Sequence, residues 1–118
     1  MTPRASDSTD RLPLKPVVHL ILLALARGER HGYVLRQEVE ELSEGSVRLD
    51  PGTLYRWLGR LLDQGLVERA EAPSDDEDPR RRNYWLSAHG REVLEAESAR
   101  LSRLVATATR DGLIASES

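Results

Sequence analysis

The stretch that decides the fold is LDPGTLYRWLGRLLDQGLVER, residues 49–69. Asp50 followed by Pro51 is a strong helix start, because Asp caps the first turn and proline at the first helical position loses no hydrogen bond. Apolar residues then recur at helical spacing until Gly65 ends the pattern. These residues are Leu54, Trp57, Leu58, Leu61 and Leu62. We therefore predict an amphipathic helix that packs on one face and presents polar side chains on the other.

A polar hairpin is predicted after that helix. The runs Leu66–Arg69 and Tyr84–Leu86 are short and extended, and the loop between them contains Pro73 and Pro79. Turn-forming residues between two extended runs are typical of a β-hairpin, here with a long tip. The loop carries four acids at residues 75–78 and then Arg80, Arg81 and Arg82. The returning arm of the hairpin is therefore strongly basic.

The chain before residue 49 contains two further helical patterns. Residues 17–27, VVHLILLALAR, are apolar nearly all round, which predicts a short buried helix that stops at Gly28. A second helix is predicted over Gly32–Leu42, with His31 as a turn residue before it. Val47–Leu49 is then predicted to form a short strand.

A long helix is predicted for the end of the chain, from about Ala88 to near Asp111, with Ser87 as its cap. Its apolar residues fall near heptad spacing, interrupted by Glu97 where an apolar side chain is expected. They are Leu94, Leu101, Leu104, Val105 and Ala108. An exposed stripe of this size would be a liability in a monomer, so we expect these residues to form the interface of a homodimer.

The order of the elements predicts the fold class. Helix, helix, short strand, helix, hairpin and helix is the order of a winged helix-turn-helix, a mainly α fold with a small β-hairpin (α+β). We divide the chain into a flexible N-terminal arm at residues 1–16, a winged helix-turn-helix domain at 17–87 and a C-terminal dimerisation helix at 88–114. The arm is rich in proline, serine and aspartate and lacks apolar periodicity.

Composition excludes several classes of protein. The 118 residues contain no cysteine, which excludes disulfides, thiolate metal sites and thiol nucleophiles. The longest apolar run is too short to cross a bilayer, and the N-terminus does not resemble a signal peptide, so we expect a cytoplasmic protein without a membrane partner. His19, His31 and His89 are scattered, and no phosphate-binding glycine loop is present. We therefore expect no enzyme, no metal and no cofactor.

The charges indicate where a nucleic acid could bind. The formal net charge of −3 argues against such a partner, but binding depends on the local field at the docking surface. The basic residues gather on the polar face of the 51–63 helix and on the hairpin. The candidate DNA-binding residues are Thr53, Tyr55, Arg56, Arg60, Arg80, Arg81 and Arg82. Gly52 has no side chain to cover the backbone at the start of that helix, where we expect a phosphate to bind.

Three ordered motifs resemble the PadR family of bacterial transcriptional regulators. They are HGYVLRQEV at residues 31–39, LDPGTLYRWLGRLLDQGLVER at 49–69 and RRRNYWLSAHGREVL at 80–94. The resemblance implies a dimer formed by the last and first helices, which represses a nearby promoter until a small molecule or signal releases it. It also implies groove or phosphate contacts for Thr53, Tyr55 and Arg56, and wing contacts for residues 80–82.

The chain departs from that family pattern in three places. Ala88 and His89 follow the helix cap where the family commonly has an acidic pair, and the acidic wing tip is longer than usual. No aromatic residue lies between Ala88 and Leu113, so a ligand sandwiched between tryptophans at the dimer centre is unsupported.

Two alternatives concern the partner and the aromatic residues. A winged helix can instead be an adaptor that binds another protein, which the acidic balance favours and the arginine-rich helix and hairpin oppose. Trp57, Trp85, Tyr33 and Tyr84 are interpreted as packing residues rather than as a ligand cage.

Overall fold

The computed structural model describes residues 12–71 and 82–115. The helices are α1 (Pro16–Ala26), α2 (Gly32–Leu42), α3 (Pro51–Asp63) and α4 (Ala88–Arg110), and the strands are β1 (Arg30–His31), β2 (Val67–Arg69) and β3 (Asn83–Leu86). The winged-helix architecture predicted from the sequence is confirmed. Within the described ranges, no helix is long and apolar enough to cross a membrane.

The helix starts follow the predicted capping. The Asp50 carboxylate accepts a hydrogen bond from the Thr53 N–H at 2.8 Å, and Pro51 is the first residue of α3. Ser87 Oγ accepts from the Gly90 N–H at 2.9 Å and also donates to the Gly65 carbonyl at 2.6 Å. The second bond ties the start of α4 to the turn that follows α3, so the two helices share one junction.

The three strands form one antiparallel sheet in the order β1, β3, β2. Arg30 lies opposite Tyr84, and Val67 lies opposite Leu86. The wing is therefore a three-stranded sheet rather than a two-stranded hairpin.

The strand predicted at Val47–Leu49 is wrong. The Val47 N–H is used locally: it donates to Ser43 Oγ at 3.0 Å, and that hydroxyl shares its proton between the Glu40 carbonyl at 3.0 Å and the Val47 carbonyl at 3.3 Å. A backbone paired in this way is not free to join a strand ladder. The short strand instead comes earlier, at β1, so His31 is a strand residue and not a turn residue.

The core surrounds α1 and the inner face of α3. Ile21 and Leu22 of α1 are fully buried, and Leu54, Leu58 and Leu61 of α3 are at most 1% exposed. This packing fixes the rotation of α3 and leaves its other face for contacts with other molecules.

The segment before α1 is partly packed. Leu12 and Leu14 lie against the core, and Pro16, which we assigned to the flexible arm, is the first residue of α1. The Leu14 N–H donates to Glu97 Oε2 at 3.0 Å, although the arm was expected to be free. The rest of the predicted arm, residues 1–11, lies outside the described residues.

Candidate nucleic-acid interface

Helix α3 presents the predicted polar residues away from its buried stripe. Arg56 and Arg60 are exposed, whereas Thr53 and Tyr55 are half-buried, with Tyr55 packed partly against the core. A helix held by buried leucines and carrying guanidinium groups on its free side fits the geometric needs of a groove-reading element.

The first turn of α3 contains a network of hydrogen bonds. Asp50 Oδ1 accepts from the Thr53 N–H, and Asp50 Oδ2 accepts from Thr53 Oγ1 at 3.2 Å. Thr53 Oγ1 in turn accepts from Arg56 Nη2 at 3.1 Å. These bonds, with the Thr53 N–H making the largest contribution, lower the pKa of Asp50 below its usual value. The carboxylate is therefore ionised at neutral pH and orients Arg56 through Thr53.

The same network uses the backbone donors that we predicted to bind a phosphate at the start of α3. Pro51 has no N–H, the Thr53 N–H bonds to the Asp50 carboxylate, and the Leu54 N–H bonds to the Asp50 carbonyl at 3.1 Å. The Gly52 N–H also lowers the pKa of Asp50. Because these donors face Asp50, the start of α3 presents a carboxylate where we expected open donors for a phosphate.

Arg60 has a different setting from Arg56. Its guanidinium carbon lies 4.9 Å from the centre of the half-buried Trp57 ring, within cation–π range. Arg60 and Trp57 line a groove with Lys15 and Gln64, next to the segment that precedes α1. The structure thus orients Arg56 towards the start of α3 and Arg60 towards this groove.

The wing is described only in part. Arg82 is half-buried beside β3, and its Nε atom has no hydrogen-bond partner among the described residues. Burial raises the pKa of Tyr84, and Arg69 and Arg82 oppose that rise. The other predicted wing contacts, Arg80 and Arg81, and the acidic residues 75–78 lie outside the described residues.

The aromatic residues divide between core and surface. Tyr84 is 2% exposed and belongs to the core, and Trp85 Nε1 donates to Glu68 Oε1 across the sheet at 2.8 Å. Tyr33, expected to pack, is 52% exposed and stacks on His31 with ring centres 5.8 Å apart. A signal was present in the sequence: Tyr33 precedes Leu35 by two residues, which places the two side chains on different sides of a helix.

The predicted dimerisation residues also differ in exposure. Leu94 is 5% exposed and packs within the protomer, and Leu101 and Ala108 are half-buried. Leu104 and Val105 are 55% and 51% exposed, respectively. Beyond the helix, Leu113 and Ile114 add further exposed apolar surface. The second half of α4 therefore carries the uncovered part of the stripe.

Glu97, which interrupts the apolar spacing of α4, is 1% exposed. It accepts from Arg100 Nε at 2.6 Å and from the Leu14 N–H, and the Arg100 bond is the main reason that its pKa is lowered. The spacing of α4 marked Glu97 as an exception but did not predict its burial, because the bond from Leu14 joins residues far apart in the chain. Among the described residues, no three acidic, histidine or cysteine side chains are grouped as metal ligands.

Comparison with known proteins shows which family this chain resembles. The family model of the PadR-like transcriptional regulators matches residues 21–96. An uncharacterized 37.1 kDa protein in transposon Tn4556 of Streptomyces fradiae is 41% identical over 85 residues, which cover 72% of this chain and 23% of that protein. The chain thus spans less than a quarter of the length of this relative.

Two solved structures share the fold. A PadR family transcription regulator from Clostridium difficile superposes with a TM-score of 0.64 at 24% identity, covering 85% of this chain and 100% of that one. PadR of Bacillus subtilis, in complex with operator DNA, gives a TM-score of 0.58 at 21% identity, covering 71% of this chain and 46% of that one. Because the family model matches more than half of the chain, this protein belongs to the PadR-like family of transcriptional regulators.

Proposed function

We propose that this chain binds double-stranded operator DNA as a homodimer and represses transcription in the cytoplasm until an effector or other signal releases it. The observation that carries the proposal is the orientation of α3. Leu54, Leu58 and Leu61 are buried in the core, and Arg56 is exposed on the opposite side in the N-terminal half of the helix. Arginine in that position can make paired hydrogen bonds to guanine in the major groove.

Each predicted element has a separate role in this proposal. Thr53, Tyr55 and Arg56 contact the groove or its phosphates, and Arg60 contacts the adjoining strand from the flank of the helix. The wing arginines Arg80, Arg81 and Arg82 bind phosphates beside the groove and add affinity without sequence preference. The solved complex of B. subtilis PadR with operator DNA supports DNA binding by a chain of this fold.

The uncovered half of α4 supports the proposed homodimer. Leu104 and Val105 are exposed within the protomer, and a second copy of α4 would cover them. A two-fold dimer carries two copies of α3, so its operator is palindromic, with half-sites about 34–36 Å apart or a multiple of that distance.

The test is selection of bound duplexes from a random-sequence pool by the purified full chain, followed by sequencing. We expect enrichment of one palindromic motif and protection of both half-sites from nuclease cleavage. Failure to retain any duplex at low salt would contradict DNA binding and favour the protein-binding adaptor. Enrichment of a single, non-repeated half-site would contradict the dimeric mode of binding.

A further inference from the structure

An acidic residue, Asp50, caps the start of α3 at the place where a DNA-reading helix approaches its target. Asp50 is exposed, and its two carboxylate oxygens both bond to Thr53, one to the N–H at 2.8 Å and one to the hydroxyl at 3.2 Å. A carboxylate at this point repels the phosphates that attract the rest of the surface.

The network also sets the direction of a guanidinium group. Because the Thr53 hydroxyl donates its proton to Asp50, its oxygen is left to accept from Arg56 Nη2 at 3.1 Å. Arg56 is thereby attached to the start of the helix instead of extending freely into solvent. Freely moving arginines find phosphates on any sequence, whereas an oriented one favours a particular base edge.

We propose that Asp50 is a specificity-determining residue: it positions Arg56 through Thr53 and keeps phosphates away from the start of α3. This inference rests on the proposed function, because it concerns the selectivity of the same DNA-binding surface. Asp50 weakens binding to arbitrary DNA more than binding to the operator, where base contacts compensate for the repulsion.

The decisive variant is Asp50→Asn. Asn is as good a helix cap as Asp, so α3 is expected to form normally while the negative charge is lost. The matched control is Asp63→Asn, which removes one exposed carboxylate from the opposite end of the same helix. Both variants change the net charge equally, so a general charge effect would appear in both. Thermal unfolding of each variant checks that α3 is intact.

A second variant separates repulsion from positioning. Thr53→Val removes the hydroxyl that links Asp50 to Arg56 and keeps the carboxylate and the Thr53 backbone N–H. We expect it to lose preference at the base that Arg56 contacts, without gaining affinity for random duplexes.

The measurement is the affinity of the full-length protein for its selected motif and for a scrambled duplex at several salt concentrations. For Asp50→Asn we expect binding to the scrambled duplex to tighten by about threefold to tenfold, and the ratio between motif and scrambled duplex to fall. If a phosphate enters the vacated site, the slope of log affinity against log salt steepens by about 0.9.

The inference is overturned if Asp50→Asn keeps the wild-type ratio, or if Asp63→Asn changes the ratio as much. It is also overturned if Thr53→Val keeps full base preference. These outcomes are distinct from failure of the proposed function, in which the wild-type protein itself would enrich no motif.

Discussion

Gly90, in the first turn of α4, lies so close to the carbonyl oxygen of Leu66 that a side-chain Cβ at this position would overlap it. Leu66 is the last residue of the turn between α3 and β2, and its carbonyl also accepts from the Ser87 N–H at 3.1 Å. Helices α3 and α4 therefore meet at one tightly packed backbone junction.

Gly90→Ala should accordingly destabilise the protein. The new methyl group meets backbone, which cannot move aside as a side-chain end can, so we expect a loss of about 1–3 kcal/mol or more in the free energy of unfolding. Gly59→Ala is the control, because nothing lies within 4 Å of a Cβ at that helical glycine. It should stabilise α3 by about 0.5–1 kcal/mol. Equal midpoints for both variants in urea unfolding would contradict the close approach.

Glu97 should make stability depend on pH in the acid range. Its pKa is lowered in the folded protein, mainly by Arg100 and also by the Leu14 N–H and by His19. The stabilisation is therefore complete above the usual carboxyl pKa of about 4.3 and is lost as the pH falls through the lowered value. Glu97→Gln should cost about 1–3 kcal/mol at neutral pH, with the difference from wild type shrinking in acid. The exposed Glu95→Gln on the same helix should leave the wild-type pH profile unchanged.

Arg56→Ala should weaken operator binding by about 1–3 kcal/mol and relax the preference at one base position in each half-site. Arg91→Ala provides the control, because Arg91 is an exposed arginine in the first turn of α4 and not in α3. It should leave the selected motif unchanged. Competition titrations against single-base variants of the operator measure the effect. A uniform loss on every duplex would mean that Arg56 contacts only phosphate.

The proposed dimer can be tested without damage to the fold of the single chain. Leu104 and Val105 are each more than half exposed, so changing both to Asp removes apolar surface from the interface and leaves the core intact. We expect the double variant to sediment as a folded monomer with much weaker operator binding. A wild-type chain that is already monomeric at micromolar concentration would refute this interface.

The wing arginines should contribute equally to the affinity for every DNA sequence. Changing Arg80, Arg81 and Arg82 together to Ala should weaken binding to operator and scrambled duplex by the same factor. Each lost phosphate contact should flatten the salt slope by about 0.9. Neutralising the acids at residues 75–78 should instead raise affinity for the scrambled duplex. An unchanged salt slope in the arginine-free variant would remove the wing from the phosphate-binding surface.

Features that depend on near neighbours could be predicted from the sequence. The starts of α3 and α4 follow from Asp50 and Ser87, since a capping side chain bonds to an N–H three residues further on. The buried face of α3 follows from the spacing of its leucines, because helix geometry relates residues three and four apart. For the same reason, the sequence indicated which residues of α3 face outwards.

Only the tertiary structure decided the features that join distant residues. Pairing of β1 with β3 brings Arg30 opposite Tyr84, and the buried Glu97 accepts a hydrogen bond from Leu14, near the other end of the described chain. Neither partner can be identified from local periodicity, because the interactions form when the helices pack. The sequence thus determined where α3 begins and which way it faces. Tertiary packing decided which strand completes the wing and how α3 is joined to α4, because backbone groups far apart in the chain bond only after the core has formed.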